Sequence, residues 1–95
     1  MIKEIYQNRI KEIVTKNLPK EAKVFVFGSS VMEDHFSDVD IGIVSKEKID
    51  RELMVAITND LEESELPYLF DVIDFGTVES DFKEKVLKGD ILWLT

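Results

Sequence analysis

Apolar residues recur along the chain with two different periods, and these periods predict its secondary structure. Apolar side chains at every third or fourth position, typical of amphipathic helices, occupy residues 2–17, 47–62 and 78–88. Short runs of β-branched and aromatic residues, typical of strands, occupy residues 23–27, 38–45 and 68–75. Helices and strands therefore alternate along a chain that has no linker, repeat or low-complexity tract.

Individual residues predict how these helices are buried and capped and how the chain continues after the last helix. The first helix is expected to bury one apolar stripe, made of Ile2, Ile5, Tyr6, Ile10, Ile13 and Val14. Ser45 is the expected N-cap of the second helix, and Gly89 is the expected C′ residue of the third. The apolar tail, residues 91–94, is predicted to form a final strand or cover on the core, or else to dock a partner through Trp93.

The spacing of the first two strands constrains how they pair. Gly28 ends the first strand and Asp38 begins the second, so only residues 29–37 connect them. A crossover between parallel neighbours usually needs a dozen residues or more. We therefore expect antiparallel or irregular pairing between these two strands.

Composition and charge narrow the class of protein. The chain has 95 residues, of which 44% are hydrophobic, enough for one domain over residues 1–95. There is no Cys, no apolar run long enough for a membrane span, and no signal peptide pattern at the N-terminus. The net charge of −8 disfavours binding to long nucleic acids. A cytoplasmic protein fits these features, and a small anion can still bind through a bridging metal ion.

Two short motifs next to the predicted strands contain residues that can bind metal ions or phosphate. Asp38 and Asp40 lie two residues apart at the start of a strand, where their side chains share one face and can bind divalent ions together. Gly28 and Ser29 follow the preceding strand. A glycine there lets backbone approach a phosphate, and the free N–H groups of a helix that begins at Ser29 favour an anion. Each motif alone is more often a polar strand start or a simple turn.

The third strand adds two more acids, Asp71 and Asp74. An acid within an apolar strand is unfavourable unless it is paired, bound to metal or directed to solvent. Alternation groups Asp71 with Leu69 and Ile73, and Asp74 with Phe70 and Val72. Both faces are apolar, so the period does not choose between the two acids.

The run FVFGSSVMEDHFSDVDIGIV, followed by FDVIDF, resembles the minimal nucleotidyltransferases of the DNA polymerase beta superfamily. The family pattern is a hydrophobic strand, Gly-Ser, a spacer, Asp-x-Asp within a strand, and a third Asp on a later strand. The matching residues are Gly28, Ser29, Asp38, Asp40 and Asp71. Because the family places its third acid early in the strand, the resemblance favours Asp71, with Asp74 as the alternative.

This resemblance implies an α+β fold with a small mixed sheet backed by helices. It implies transfer of a nucleoside monophosphate, AMP from ATP, to an acceptor hydroxyl with two Mg²⁺ ions, for which Mn²⁺ can substitute. Asp38, Asp40 and Asp71 would bind the metals, with Asp71 also acting as general base, and Gly28, Ser29 and Ser30 would bind the nucleotide. Small members are commonly antitoxins, and the implied partner is a helical HEPN toxin from an adjacent gene.

The sequence departs from the family pattern on the phosphate side. Position 30 is Ser where many members have Arg, and no Gly occurs between Ser29 and Ser37. Lys46 and Lys48 are the nearest basic residues that follow these motifs in sequence. The alternative function is a weakly active or inactive module that neutralises a helical partner by contact. A phospho-receiver domain is disfavoured, because the strand-end Lys and the repeating parallel βα units are missing.

Overall fold

One four-stranded sheet, with strand order β3-β2-β1-β4, organises the computed structural model, which describes residues 1–95. Three of its four strands coincide with the predicted strands to within one residue at each end. The elements in chain order are α1 (Glu4–Thr15), β1 (Lys23–Phe27), α2 (Ser29–Met32), β2 (Asp38–Val44), α3 (Arg51–Glu62), β3 (Leu69–Asp74), α4 (Ser80–Lys88) and β4 (Leu92–Trp93).

The sheet is mixed, as predicted. β1 pairs antiparallel with β2 on one side and with β4 on the other. β2 pairs parallel with β3, and α3 makes the crossover between them. The antiparallel pairing of the first two strands and the packing of the apolar tail as a final strand are both confirmed.

The two faces of the sheet have different roles. Side chains alternate between the faces, so Val24, Val26, Ile41 and their neighbours point to the side covered by α1 and α3. They belong to a hydrophobic cluster of 15 buried residues that includes residues of both helices. The other face, which we call the acidic face, carries four acidic or aromatic side chains of β1 and β2: Phe25, Phe27, Asp38 and Asp40.

Aromatic rings cover part of the acidic face. Phe25 packs against Phe75 with ring centroids 4.9 Å apart and against Trp93 with centroids 5.1 Å apart. Phe82 stacks on Phe75 at 5.9 Å and is the aromatic contact that α4 makes with this group. No residue of α4 is buried, so this helix lies on the surface of the domain.

Two predictions about residues near helix ends, the burial of Ile5 and the conformation of Gly89, are wrong. Ile5 is 71% exposed although it was assigned to the buried stripe of α1. It precedes the buried Ile10 by five residues, which is about 140° around a helix of 3.6 residues per turn. Gly89 ends α4 with φ −82°, so it is not the left-handed C′ residue that was expected.

The second predicted helix begins later than its apolar pattern suggested. α3 starts at Arg51 with Asp50 as its N-cap residue, and Ser45 does not cap it. The Ser45 hydroxyl instead donates to the Glu21 carboxylate at 2.8 Å, and the Lys46 N–H donates to the same carboxylate at 3.1 Å. These bonds tie the segment after β2 to the turn that precedes β1.

The longest helices, α1 and α3, have 12 residues each. No helix combines the length and the apolar character needed to cross a membrane.

Candidate active site

The turn after β1 brings the backbone close to an acidic side chain. Gly28 has φ +82° and ψ −158°, a region of backbone space that is essentially restricted to glycine. A Cβ atom at Gly28 would lie 2.5 Å from Oδ2 of Asp40, so this carboxylate occupies the space beside the turn. Ser29 then begins the short helix α2 and is exposed.

Asp40 lies at the centre of the acidic residues because β2 is an interior strand. Its register partner on β1 is Phe27, and its register partner on β3 is Asp71. Neighbouring strands are about 4.8 Å apart, so Asp40 and Asp71 stand side by side on one face. Asp38 lies two residues earlier on β2, on that same face. The fold thus brings together three acids that are separated by up to 33 positions in sequence.

The surroundings of Asp40 favour its neutral form. Partial burial raises the pKa of the Asp40 carboxyl above its ordinary value, and the negative charges of Asp71 and Asp38 raise it further. The two ion pairs of the molecule join Arg9 to Glu12 and to Glu65, so no basic side chain is paired with these acids. A bound cation would relieve this repulsion.

The donor set suits a hard divalent ion. No three His, Cys, Asp or Glu side chains stand close enough to hold a metal ion among them. Mg²⁺, however, is typically bound by one or two carboxylates together with water and substrate phosphate. The neighbouring carboxylates of Asp40 and Asp71, with Asp38 beside them, are oxygen ligands of that kind. The residues present therefore fit Mg²⁺ held jointly with a phosphate.

Asp74 lies apart from the other acids. Its register partner is Ile43, and it follows Asp71 by three residues, about 10 Å along the strand and on the opposite face. Its Oδ1 accepts a hydrogen bond from the N–H of Gly76 at 2.9 Å, which stabilises the turn after β3. The structure brings Asp71, and not Asp74, next to Asp40.

The three other candidates from the sequence, Ser30 and two lysines, differ in their access to a ligand. The side chain of Ser30 is 1% exposed, and its Oγ has no hydrogen-bond partner, so the hydroxyl is not open to solvent. Lys46 and Lys48 follow the far end of β2. Lys46 is six residues from Asp40, about 20 Å along an extended chain, so proximity in sequence was misleading for these lysines.

The two larger cavities of the molecule lie away from the acids. A cavity of about 300 Å³ is lined by Lys46, Lys48 and Asp74, beyond the far end of β2. A larger one, of about 690 Å³, lies between α1 and α3 and is lined by polar residues such as Arg9 and Asp60. Asp38, Asp40 and Asp71 line neither of them. Asp38 and Asp71 are exposed and Asp40 is half-buried, so the acids lie on an open surface of the sheet.

Comparison of the sequence with known proteins finds one matching family model and a related protein. The family model described as "Polymerase beta, Nucleotidyltransferase" matches residues 8–95. The probable protein adenylyltransferase MntA of Haemophilus influenzae is 31% identical over 81 residues, which are 83% of this chain and 71% of that protein.

Solved structures share the fold at lower sequence identity. One is a tri-AMPylated HEPN toxin of Shewanella oneidensis in complex with an MNT antitoxin, with a TM-score of 0.79 and 20% identity over 99% of this chain and 72% of that chain. Another is a toxin–antitoxin complex with AMP-PNP, with a TM-score of 0.77 and 21% identity over 94% of this chain and 72% of that chain. These likenesses confirm the predicted fold.

Proposed function

The chain belongs to the polymerase beta nucleotidyltransferase family, and we propose that it is an MntA-like protein adenylyltransferase that acts as an antitoxin on a HEPN partner. The observation that carries the proposal is the register of Asp40 against Asp71, with Asp40 packed beside Gly28. This arrangement places three carboxylates and a glycine turn on one open face, as a phosphoryl-transfer site requires.

The names of the relatives support the choice of nucleotide and acceptor. The curated relative is a probable protein adenylyltransferase, and one structural relative is a complex with AMP-PNP. Another structural relative pairs an MNT antitoxin with a HEPN toxin that carries AMP. For this chain we propose ATP as the substrate and a hydroxyl of a helical HEPN-type protein as the acceptor. Because ATP is abundant in the cytoplasm, the proposal places the chain there.

Each residue of the site has a defined role in the proposed reaction. Asp40 and Asp71, with Asp38 beside them, would hold Mg²⁺, or Mn²⁺ in its place, together with the substrate phosphates, and the ion would neutralise phosphate charge and polarise the reacting oxygens. The backbone at Gly28 and Ser29 would hold the β- and γ-phosphates. The acceptor oxygen attacks the α-phosphorus, the bond to the bridging oxygen breaks, and pyrophosphate leaves. Asp71 takes the hydroxyl proton as general base.

Charge supports a protein acceptor with a basic surface. The net charge of −8 and the three acids repel nucleic acid but attract a cationic protein, and this attraction would speed their encounter at low salt. An RNA-cutting toxin needs a basic surface to bind its substrate. The acidic face of this chain is complementary to such a surface.

Coexpression with the proposed HEPN-type partner tests the proposal. The intact mass of the partner should increase by one or more adenylates in the presence of the wild-type chain and Mg²⁺. The Asp40→Asn variant should leave the partner unmodified. If the wild-type chain adds no nucleotide to the partner under conditions where the two proteins bind, the enzyme proposal is wrong.

A second candidate function is neutralisation of the partner by contact alone. Trp93 is 47% exposed and Phe82 is 41% exposed, and both join the rings that cover part of the acidic face, so they offer apolar surface to a partner. In this case the Asp40→Asn variant would protect cells from the toxin as well as the wild type does. Protection and adenylate transfer, measured on the same variant, separate the two functions.

A further inference from the structure

One edge of the sheet runs directly beside the acids and is unpaired. β3 is an edge strand whose pairing partner is β2. The N–H groups of Leu69 and Phe75 donate to the carbonyls of Ser37 and Ile43, each at 2.9 Å. Because backbone groups alternate in direction along a strand, the N–H and C=O groups of Phe70 and Val72 point away from β2. These four groups form no backbone hydrogen bond outside the pairing of β2 with β3.

This edge lacks several of the features that usually block strand addition. Natural edge strands are protected by charged side chains, especially Lys, by Pro, by a bulge or by a covering element. The segment Leu69–Asp74 contains neither Lys nor Pro, and its register against β2 is continuous, so it has no bulge; its charged residues are Asp71 and Asp74. The side chain of Leu69 is 67% exposed, although it is a large apolar residue. Leu69 and Asp71 are exposed and Val72 is half-buried, whereas Phe70 is 8% exposed, so the edge is accessible on both sides of Phe70.

We propose that an extended segment of the acceptor protein pairs with the outer edge of β3 and thereby places its hydroxyl side chain beside Asp71. This inference rests on the proposed function and adds how the acceptor is held. Main-chain hydrogen bonds to Phe70 and Val72 supply the affinity, as in other cases of β-strand addition. The proposed general base, Asp71, is itself a residue of β3, so docking and catalysis use the same strand.

Strand geometry specifies the acceptor segment. A residue directly opposite Asp71 on an added strand has its Cβ about 4.5–5.5 Å from that of Asp71, on the acidic face. A Ser, Thr or Tyr at that position brings its hydroxyl to the Asp71 carboxylate. The residue two positions away lies opposite Leu69 or Ile73, and an apolar side chain there would cover Leu69. The acids beside the edge favour a Lys or Arg nearby in the segment.

Backbone amide exchange on the ¹⁵N-labelled chain tests the docking step directly. The purified acceptor protein from the adjacent gene is the probe, added without ATP. The amides of Phe70 and Val72 should exchange at least tenfold more slowly in the complex. The amide of Asp71 points to β2 and serves as the internal control, with little change. Unchanged exchange at Phe70 and Val72 in a formed complex would overturn the proposal.

A backbone variant tests the consequence for transfer. Val72→Pro removes an outward N–H, which proline permits on an edge strand, and leaves the ladder with β2 intact. It should raise the KM for the acceptor at least tenfold and leave the affinity for Mg-ATP unchanged, whereas Val72→Ala should behave as wild type. An unchanged acceptor KM in a folded Val72→Pro variant would contradict the docking mode.

The outcomes also separate this inference from the function on which it rests. If the wild-type chain transfers no adenylate but the acceptor protects Phe70 and Val72, the enzyme proposal fails and the docking proposal stands. Protection of these amides in the chain alone, increasing with its concentration, would show that a second copy occupies the edge and would refute the acceptor as its occupant.

Discussion

Oδ2 of Asp40 lies 2.5 Å from the position that a Cβ atom would take on Gly28, which is closer than a real Cβ atom can approach it. The glycine turn and the central carboxylate are therefore one packed unit. The turn residue has φ +82°, so a side chain there would be disfavoured by the backbone as well as by the carboxylate. A change at either residue should move the other.

Gly28→Ala is expected to impair nucleotide binding by displacing Asp40. The backbone strain alone should destabilise the fold by about 1–3 kcal/mol. Titration calorimetry with Mg-ATP, together with urea unfolding, measures both effects. Gly89→Ala is the matched control, because a Cβ there would meet backbone oxygen at an ordinary 3.4 Å and φ is negative. Equal loss of binding in the two variants would argue against the link to Asp40.

Asp40→Asn should abolish metal-dependent nucleotide binding and stabilise the protein without ligand at neutral pH. Burial and the charges of Asp71 and Asp38 raise the pKa of Asp40, so the folded state holds this proton more tightly than the unfolded state. The resulting stabilisation is full below the ordinary pKa of 3.8 and is lost as pH rises through the folded pKa. Asn carries no charge at any pH, so the Asp40→Asn variant does not lose this stabilisation of the folded state as the pH rises.

Thermal unfolding at two pH values checks this assignment. The variant should have the higher Tm at pH 7, and the difference should vanish below about pH 3.8, the ordinary pKa of the group. Asp74→Asn is the control, since its side-chain oxygen can still accept the Gly76 N–H. Mg-ATP binding that survives in Asp40→Asn, seen by calorimetry, would refute its role as a metal ligand.

Asp71→Ala should reduce the rate of adenylate transfer far more than Asp74→Ala does. Asp71 is the register partner of Asp40, whereas Asp74 caps a turn. Loss of a metal ligand and general base is expected to raise the barrier by several kcal/mol, and each 1.36 kcal/mol is tenfold in rate. Single-turnover rates with saturating acceptor give the comparison. A larger loss in Asp74→Ala than in Asp71→Ala would reverse the assignment.

Trp93→Ala is expected to weaken the complex with the partner. The indole is 47% exposed and packs on Phe25, so it presents a rigid aromatic surface at the end of the chain. Loss of an interface anchor should weaken binding by about 2 kcal/mol or more, measured by calorimetry. Val55→Ala removes a comparably exposed apolar side chain on α3 and should have little effect. Equal affinities of Trp93→Ala and wild type would exclude Trp93 from the interface.

Gly42→Ala should destabilise the fold without altering the acids. A Cβ at this buried position on β2 would collide with the ring of Phe25 and would come within 2.7 Å of Cε1 of Phe75. Overpacking of this kind typically costs about 1–3 kcal/mol, which urea unfolding would detect. Stability equal to wild type would show that the rings can move aside.

The sequence predicted the local elements of this protein well. β1 and β2 begin at their predicted residues, because runs of β-branched and aromatic side chains bounded by polar residues or glycine have few alternatives to a strand. The short connection between these strands predicted their antiparallel pairing. Helix ends were less accurate, as Ser45 shows, because its hydroxyl is engaged by Glu21, 24 positions earlier.

Only the tertiary structure decided which acids stand together. Both faces of β3 are apolar in sequence, so alternation could not choose between Asp71 and Asp74. Parallel pairing with β2 sets the register, and that register brings Asp71 beside Asp40 and moves Asp74 to the far end of the sheet. The requirement for glycine at position 42 could not be predicted from the sequence either. It arises from the rings of Phe25, on β1, and Phe75, which follows β3. Local pattern determines elements, whereas contacts between distant residues depend on how the elements pack.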